Sequence, residues 1–369
     1  MAFDFPNSPS EGTTFAPSGG PVYVYMGGVW RMQGSGQVVT AEARNRIVNG
    51  AMQIGQEFGG TLIGDIQASA NPYGCDQWRA VLAATTAVAS VQLVSSTTPN
   101  KSRNRLRFSV TTTKAVLAAG DLFYATQPIE GIRISDCGFG AAGARQLVLR
   151  FGFKGPAGSY SASINNGDFS RAYTALFTIS AGQANTDTEQ IIVIPGDIAG
   201  TWPNLNANAR GFIVNICFAA GTSGITAPGV WTAGGQTAAT GQTNGLATAG
   251  NVFELFDVGL YLDPNATGTP PPWQMPDEAQ ELAACQRYYT VQTVGFRTTP
   301  ASVIAYAAPI SLLPMRIAPT TVIVAGTRNN VSAASVLAAT TTLSLPQYNN
   351  TAAGDMIVNT DTIKLNARM

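Results

Sequence analysis

From about residue 41 to 265, apolar and polar residues alternate in short runs separated by Gly, Pro, Asn and Asp, the two-residue period of strands. Leu106, Phe108 and Val110 alternate with Arg105, Arg107 and Ser109, and Leu147, Leu149, Phe151 and Phe153 oppose Val148, Arg150 and Gly152. Successive side chains of a strand point to opposite faces, so both runs predict half-buried strands. Phe212, Val214, Ile216 and Phe218 predict another, and Val252, Phe256, Val258, Leu260 and Leu262 fall on one face of a further one. No stretch of ten residues or more in this region carries a helical period. Roughly ten such strands predict a two-sheet sandwich, with a jelly roll as the topology.

Residues 1 to 40 read as a small module of their own. Gly19-Gly20-Pro21 opens the alternating run Val22-Tyr23-Val24-Tyr25, and Met26-Gly27-Gly28 turns into Val29-Trp30-Arg31, a hairpin with aromatic cross-strand pairing. A two-stranded ribbon is marginal alone in water, so Tyr23, Tyr25 and Trp30 require cover from the next domain or from another protein.

Beyond the sandwich, Pro264 and Thr269-Pro270-Pro271-Pro272 form a stiff spacer, because proline neither pairs inside a sheet nor continues a helix. Residues 266 to 369 are therefore a third unit. Pro276, Asp277 and Glu278, followed by Leu282, Ala283, Gln286, Arg287 and Tyr289, predict a helix over 276–289. Alone it is marginal, so it packs on its own chain or on copies in neighbouring subunits. In the second case Leu282, Gln286 and Tyr289 are the oligomer interface. From residue 290 alternation returns, through Val303 to Tyr306, Ile310 to Leu313, Thr321 to Val324, Val336 to Leu345 and Met356 to Leu365, interrupted by Pro300, Pro314, Pro319 and Pro346. The fold class is mostly β: an N-terminal hairpin module, a central jelly-roll β-sandwich, a short linking helix and a small C-terminal β domain.

Charge narrows the partners. With 21 basic and 21 acidic residues in 369, nothing steers the chain to nucleic acid or an anionic membrane. Gly211 to Phe253 carries no charged residue, a surface that tolerates close subunit contact. The first residues show neither a basic n-region nor an apolar h-region, and no stretch approaches the roughly 18 apolar residues of a membrane span. Synthesis in the cytoplasm without a signal peptide is the expectation.

The chemistry is mostly negative. The absence of histidine removes Ser-His-Asp and Cys-His arrangements, histidine metal ligation and the usual general base near neutral pH. Cys75, Cys137, Cys217 and Cys285 are far apart with no CxxC pair, which predicts reduced, packed thiols and no metal site. A glycosidase-type carboxylate pair remains conceivable from Asp136, Asp168, Asp197 and Asp257, but each sits in or beside a turn or strand, where capping is the ordinary role. Gly138-Phe139-Gly140-Ala141-Ala142-Gly143 matches GxGxxG, yet a strand follows instead of the helix that would meet a pyrophosphate. Asn165-Asn166-Gly167-Asp168 reads as a turn, not a calcium loop. The expectation is a protein that binds, does not catalyse and uses no cofactor. Sugar recognition needs stacking aromatics with planar amides, and the loops offer Trp202, Asn204, Asn206 and Trp231 as the glycan-binding set, with Asn208 and Trp273 also present. For any one tryptophan, core or interface burial is the ordinary alternative.

A series of motifs then appears in order. These are Asn45-Arg46-Ile47-Val48-Asn49-Gly50-Ala51-Met52-Gln53-Ile54; Asp76-Gln77-Trp78; Gln127-Pro128-Ile129-Glu130-Gly131; Pro195-Gly196-Asp197 with Thr201-Trp202; and Leu282-Ala283-Ala284-Cys285-Gln286-Arg287-Tyr288-Tyr289. Pro314-Met315-Arg316 with Ala318-Pro319-Thr320 follows. Together they resemble bacteriophage tail-fibre and receptor-binding virion proteins carrying a jelly roll of carbohydrate-binding type. Phe5-Pro6, Gly12-Thr13-Thr14-Phe15 and the hairpin ending in Val29-Trp30 resemble the virion-attachment segments at the start of such fibres.

The resemblance implies a virion structural protein, usually homotrimeric, that attaches to host-surface polysaccharide. Tyr23, Tyr25 and Trp30 would anchor it to a tail, adaptor or capsid protein. The alternative within the same resemblance is a head fibre, capsid decoration or collar protein without a receptor. Gly55-Gln56-Glu57 stands where the family commonly has Asp-Gln-Arg, and Gln77 stands where Arg is frequent. No β-helix repeat of a depolymerising enzyme is present.

Overall fold

The computed structural model describes residues 5–17, 22–26, 28–32, 42–299, 305–349, 351–352 and 355–369. Gly19-Gly20-Pro21, Gly27, Pro300 and Val303 lie outside these residues.

The N-terminal ribbon has three strands, β1 (Thr14–Phe15), β2 (Tyr23–Met26) and β3 (Val29–Met32), in the order β1-β2-β3. The hairpin read from the sequence is the β2–β3 half. The added strand is too short to show a period, and it joins because Gly12, at φ +83°, turns the chain back to bond Tyr25 through both Gly12 N–H and Thr13 C=O. Register places Tyr25 opposite Trp30 and Phe15 opposite Tyr23. Phe5 stacks on Trp30 at 5.3 Å between centroids and meets the edge of Tyr23 at 4.9 Å. Within the module, Phe5 and Phe15 therefore cover Tyr23 and Trp30, and Tyr25 rests on the edge of Trp30 at 5.5 Å.

The central body contains β4 (Tyr73–Cys75), β5 (Trp78–Ala83), β6 (Val88–Ser95), β7 (Asn104–Thr112), β8 (Leu122–Glu130), β9 (Gln146–Lys154) and β10 (Gly158–Asn166). It continues with β11 (Arg171–Ile179), β12 (Thr188–Ile194), β13 (Arg210–Ala220), β14 (Ile225–Thr226), β15 (Trp231–Ala233), β16 (Ala238–Ala239) and β17 (Val252–Asp263). A seven-stranded sheet, β15-β11-β10-β13-β8-β5-β4, faces a five-stranded sheet, β12-β9-β17-β7-β6, with every pairing antiparallel. The chain crosses from one sheet to the other at most connections, as in a jelly roll. Phe108, Phe123, Phe153, Phe218 and Phe253 interlock between the sheets, Phe218 stacked on Phe253 at 4.7 Å. Each fully buried ring contributes roughly 1.5–3 kcal/mol.

Two strand readings need correcting. β9 is buried on both faces, because the proline spacer lies across the outer one: Arg150 donates to the Pro271 carbonyl and its guanidinium faces the Trp273 ring at 5.9 Å. In β17 a bulge at Asp257, φ +50°, reverses the parity. Phe253 and Leu255 face the core before it and Val258, Leu260 and Leu262 after it, so Phe256 points outward under Arg105 at 4.5 Å.

Helix α1 (Glu278–Gln286) starts where the Asp277 carboxylate accepts the Gln280 N–H at 3.0 Å. It is shorter than the predicted 276–289 because Tyr289 already pairs with Asn366 as the first residue of β18 (Tyr289–Thr298). The remaining strands are β19 (Ala305–Ala307), β20 (Ile310–Ser311), β21 (Thr320–Val324), β22 (Thr327–Asn329), β23 (Ala333–Ala339), β24 (Leu343–Asn349) and β25 (Met356–Asn366). β25 pairs with β18, β21 and β22, and β24 with β19, β20 and β23, around a separate core including Met315, Tyr348, Val358 and Ile363.

Candidate ligand-binding face

Register across the seven-stranded sheet aligns Arg79, Thr126, Asn215, Ser163 and Thr174 in one row over β5, β8, β13, β10 and β11. Their chain neighbours Ala80, Ala125, Val214, Ile164 and Tyr173 belong to the core, so the row lies on the outer face.

Half of this face is roofed by the chain between β13 and β17. Asn165 Nδ2 donates to the Gln236 carbonyl at 3.0 Å, Ala239 N–H to Ser161 Oγ at 2.9 Å, and Thr174 Oγ1 to the Ala227 carbonyl at 3.3 Å. The other half is a depression of about 60 Å³ whose lining includes Arg79, Tyr124, Thr126, Phe169, Arg210 and Asn215.

On its floor Asn215, 1% exposed, donates through Nδ2 to Ser163 Oγ at 3.0 Å and Asn165 Oδ1 at 2.8 Å. Asn165 spends its own amide N–H on Gln236, so its oxygen faces Asn215 and fixes which way that amide points. Asn215 Oδ1 and Thr126 Oγ1 are left without partners among the described residues. A buried polar atom left so costs roughly 1–3 kcal/mol, which makes this a place for a water or a ligand hydroxyl.

At the rim Arg79 Nε donates to the Asn71 carbonyl at 2.9 Å and Arg210 Nε to the Gly167 carbonyl at 2.8 Å. The Arg210 guanidinium lies 4.8 Å from the centroid of Phe169, a ring 38% exposed at the tip of the Asn165–Asp168 turn. Gly167 admits this approach because a Cβ there would stand 2.0 Å from the Arg210 carbonyl oxygen.

The four residues chosen from the sequence for sugar contact divide. Trp202 is core, not loop surface: it is 8% exposed, flanked by Phe139, Phe212 and Trp231 at 4.8, 4.9 and 5.3 Å, with its indole N–H on Asp197 Oδ2 at 2.9 Å. Trp231 is half-buried on β15 at the sheet edge, its N–H on the Pro195 carbonyl. Asn204 and Asn206 are exposed, and Asn204 Nδ2 reaches the Arg210 carbonyl at 3.3 Å, which sets their loop beside the depression. Arg79, Thr126 and Asn215 escaped the sequence reading because their alignment depends on inter-strand register; a lone Asn within the apolar run of β13 was the available sign.

The candidate carboxylates have structural partners. Asp136 is bidentate with Arg46, Asp168 accepts from Ser170, and Asp257 accepts from Ser102. Burial pushes the Asp197 carboxyl up, but hydrogen bonds from Arg171 and Trp202 outweigh it and hold the group below the usual range. All four cysteines are buried and unbonded, and burial pushes the Cys137 thiol up to about 12. Among the described residues no group of three or more His, Cys, Asp or Glu is arranged for a metal.

The residues expected at an oligomer interface are largely used within the chain. Leu282 packs in a cluster with Val48, Ile54, Cys285 and Tyr288. Tyr289 is buried beneath the Arg368 guanidinium, 3.8 Å from its ring centroid. Gln286 is half-buried beside Thr290, Gln292 and Leu312 in a depression of about 300 Å³.

No protein-family model and no curated protein matches this chain. Among solved structures, the enzymatically active domain of bacteriophage CBA120 tailspike protein 4 aligns at 15% identity and TM-score 0.31, covering 59% of this chain and 21% of its own. The family 11 carbohydrate-binding module of a Clostridium thermocellum cellulosomal cellulase aligns at 13% identity and TM-score 0.27, covering 56% of this chain and 95% of the module. A xylan-binding domain from Paenibacillus barcinonensis aligns at 7% identity and TM-score 0.26, covering 55% and 96%. The chain thus spans about a fifth of the tailspike chain, and at these scores the likenesses assign it no ligand.

Proposed function

We propose that this chain is a bacteriophage virion structural protein, a tail fibre or spike that attaches the particle to a host-surface glycan without cleaving it. The observation that carries the reading is the polar row on the outer face of the seven-stranded sheet, where Asn215 Oδ1 and Thr126 Oγ1 have no partner among the described residues and lie beside Tyr124 and Phe169. Sugars present hydroxyls that both donate and accept, and apolar ring faces that stack on aromatics. The ordered motifs quoted above supply the virion context. In this reading Tyr23, Tyr25 and Trp30 join the ribbon to a neighbouring virion protein, and the chain works as a homotrimer.

The test is binding of the purified chain to polysaccharide extracted from host cells, with Asn215→Val as the comparison. Retention by the wild type, loss in a variant that melts lower but is still folded at the binding temperature, and no shortening of the polysaccharide are expected. A wild type that binds no host polysaccharide, on a protein that particle imaging places on the capsid, would favour a head-fibre or decoration role instead.

A further inference from the structure

We propose that the depression on the seven-stranded sheet seats the anionic group of an acidic saccharide, a carboxylate or phosphate, between Arg79 and Arg210. The saccharide rests on the glycan reading above; the charge rests on separate observations.

Several arginines of the sandwich are already committed. Arg46 pairs with Glu42 and Asp136, Arg105 with Asp187 and Glu254, and Arg171 with Asp197. Arg79 and Arg210 enter no ion pair among the described residues, although both line one depression; no Asp or Glu lines it, and Met369, which does, has its terminal carboxylate accepting from the Tyr73 hydroxyl at 3.3 Å and not paired with either arginine. Each spends its Nε–H on a carbonyl, and no hydrogen bond to a described residue engages the terminal nitrogens. Two guanidinium groups held by their Nε and open at their ends suit an anion, because the fork matches carboxylate and phosphate oxygens.

Size fits the group and not the whole sugar. About 60 Å³ is room for roughly two waters, which a carboxylate or phosphate replaces and a pyranose ring exceeds. The ring would then lie outside, over Phe169 and toward an adjoining depression of about 370 Å³ that shares Arg79. The one acidic side chain lining that neighbour, Glu57, is engaged by Arg368, and Met369 lines both depressions. Inside the depression the anion takes guanidinium N–H groups and the Thr126 hydroxyl.

Saturation-transfer NMR on the full chain with methyl glucuronide, glucose 6-phosphate and methyl glucoside tests this. At least one charged probe is expected to bind about ten-fold or more tighter than the glucoside and to weaken with added salt, since exposed charges are screened over about 10 Å at 0.1 M. Response to glucuronide alone identifies a uronate site, to phosphate alone a phosphate site, and to both an unselective anion site. Arg79→Gln and Arg210→Gln should each remove the preference, and Arg79→Lys should retain part of it, at unchanged melting temperature. Equal binding of glucoside and glucuronide, or no response to either charged probe, overturns the proposal. Neutral binding abolished by Asn215→Val would leave the glycan reading intact while removing the anion.

Discussion

Arg287 grips Glu130 with three hydrogen bonds, Nε to Oε1 at 3.0 Å and to Oε2 at 3.2 Å and Nη2 to Oε2 at 3.0 Å, joining the end of the linking helix to the end of β8. The two residues belong to different motifs, and other motif residues meet near them. Trp78 donates to the Asn49 carbonyl, Asn49 donates to the Asp76 carbonyl, Gln127 brackets Val48 with two hydrogen bonds, and Glu281 accepts the Asn49 N–H. These motifs thus build the joint between sandwich and C-terminal domain. Arg287→Met would leave the buried Glu130 carboxylate unpaired, a change that costs about 3–5 kcal/mol. A lower melting temperature and earlier proteolysis near residues 287–290 are expected. An unchanged melting curve would mean the pair holds nothing.

Trp202 and Asn206, proposed together from the sequence, should separate on substitution. Trp202→Ala opens a cavity among Phe139, Phe212 and Trp231 and removes one of the donors to Asp197, so a loss of about 3–5 kcal/mol is expected in chemical denaturation. Asn206→Ala, on an exposed loop, should stay within about 0.5 kcal/mol of wild type. Equal small effects would contradict the burial of Trp202.

Asp197 gives the sandwich an acid-sensitive element. Its carboxyl titrates below its ordinary value in the folded chain, so the unfolded chain binds the proton more readily. The stabilisation is present above the unfolded value of about 3.9 and is lost as pH falls through the lower folded value. Asp76 and Glu281 run the other way: burial raises both, despite hydrogen bonds from Gln56 and Asn49, so each favours the folded state at low pH and loses that contribution as pH rises. Melting temperature followed from pH 6 to 3 should fall less steeply in Asp197→Asn than in wild type. Identical slopes would remove Asp197 from the account.

Much of this fold was legible because its strands carry a clean alternation: Phe212, Val214, Ile216 and Phe218 face the core as their period requires. Where a local device intervened, the pattern misled. The Asp257 bulge turned Phe256 outward, and the proline spacer buried the second face of β9. The ribbon's first strand was too short to have a period. The candidate site was least legible, since Arg79, Thr126 and Asn215 come from three strands distant in sequence and meet through ladder register alone. Asn204 and Asn206 were found because a polar loop is visible locally; Trp202 was misplaced because a tryptophan beside asparagines reads alike whether it faces water or core.

Gly131 tests whether that loop matters to the site. A Cβ at this position would stand 1.5 Å from the carbonyl oxygen of Asn204, so Gly131→Ala forces residues 203–209 away from β8. Overpacking of this kind costs about 1–3 kcal/mol or more, and the displaced loop would release Asn204 from Arg210. Gly182→Ala is the matched control, with no neighbour within 4 Å of the added methyl. Gly131→Ala should lose both melting temperature and saccharide binding, while Gly182→Ala keeps both. If Gly131→Ala melts lower yet binds as wild type, the loop is a structural cover and the ligand sits wholly on the strand row of Arg79, Thr126 and Asn215.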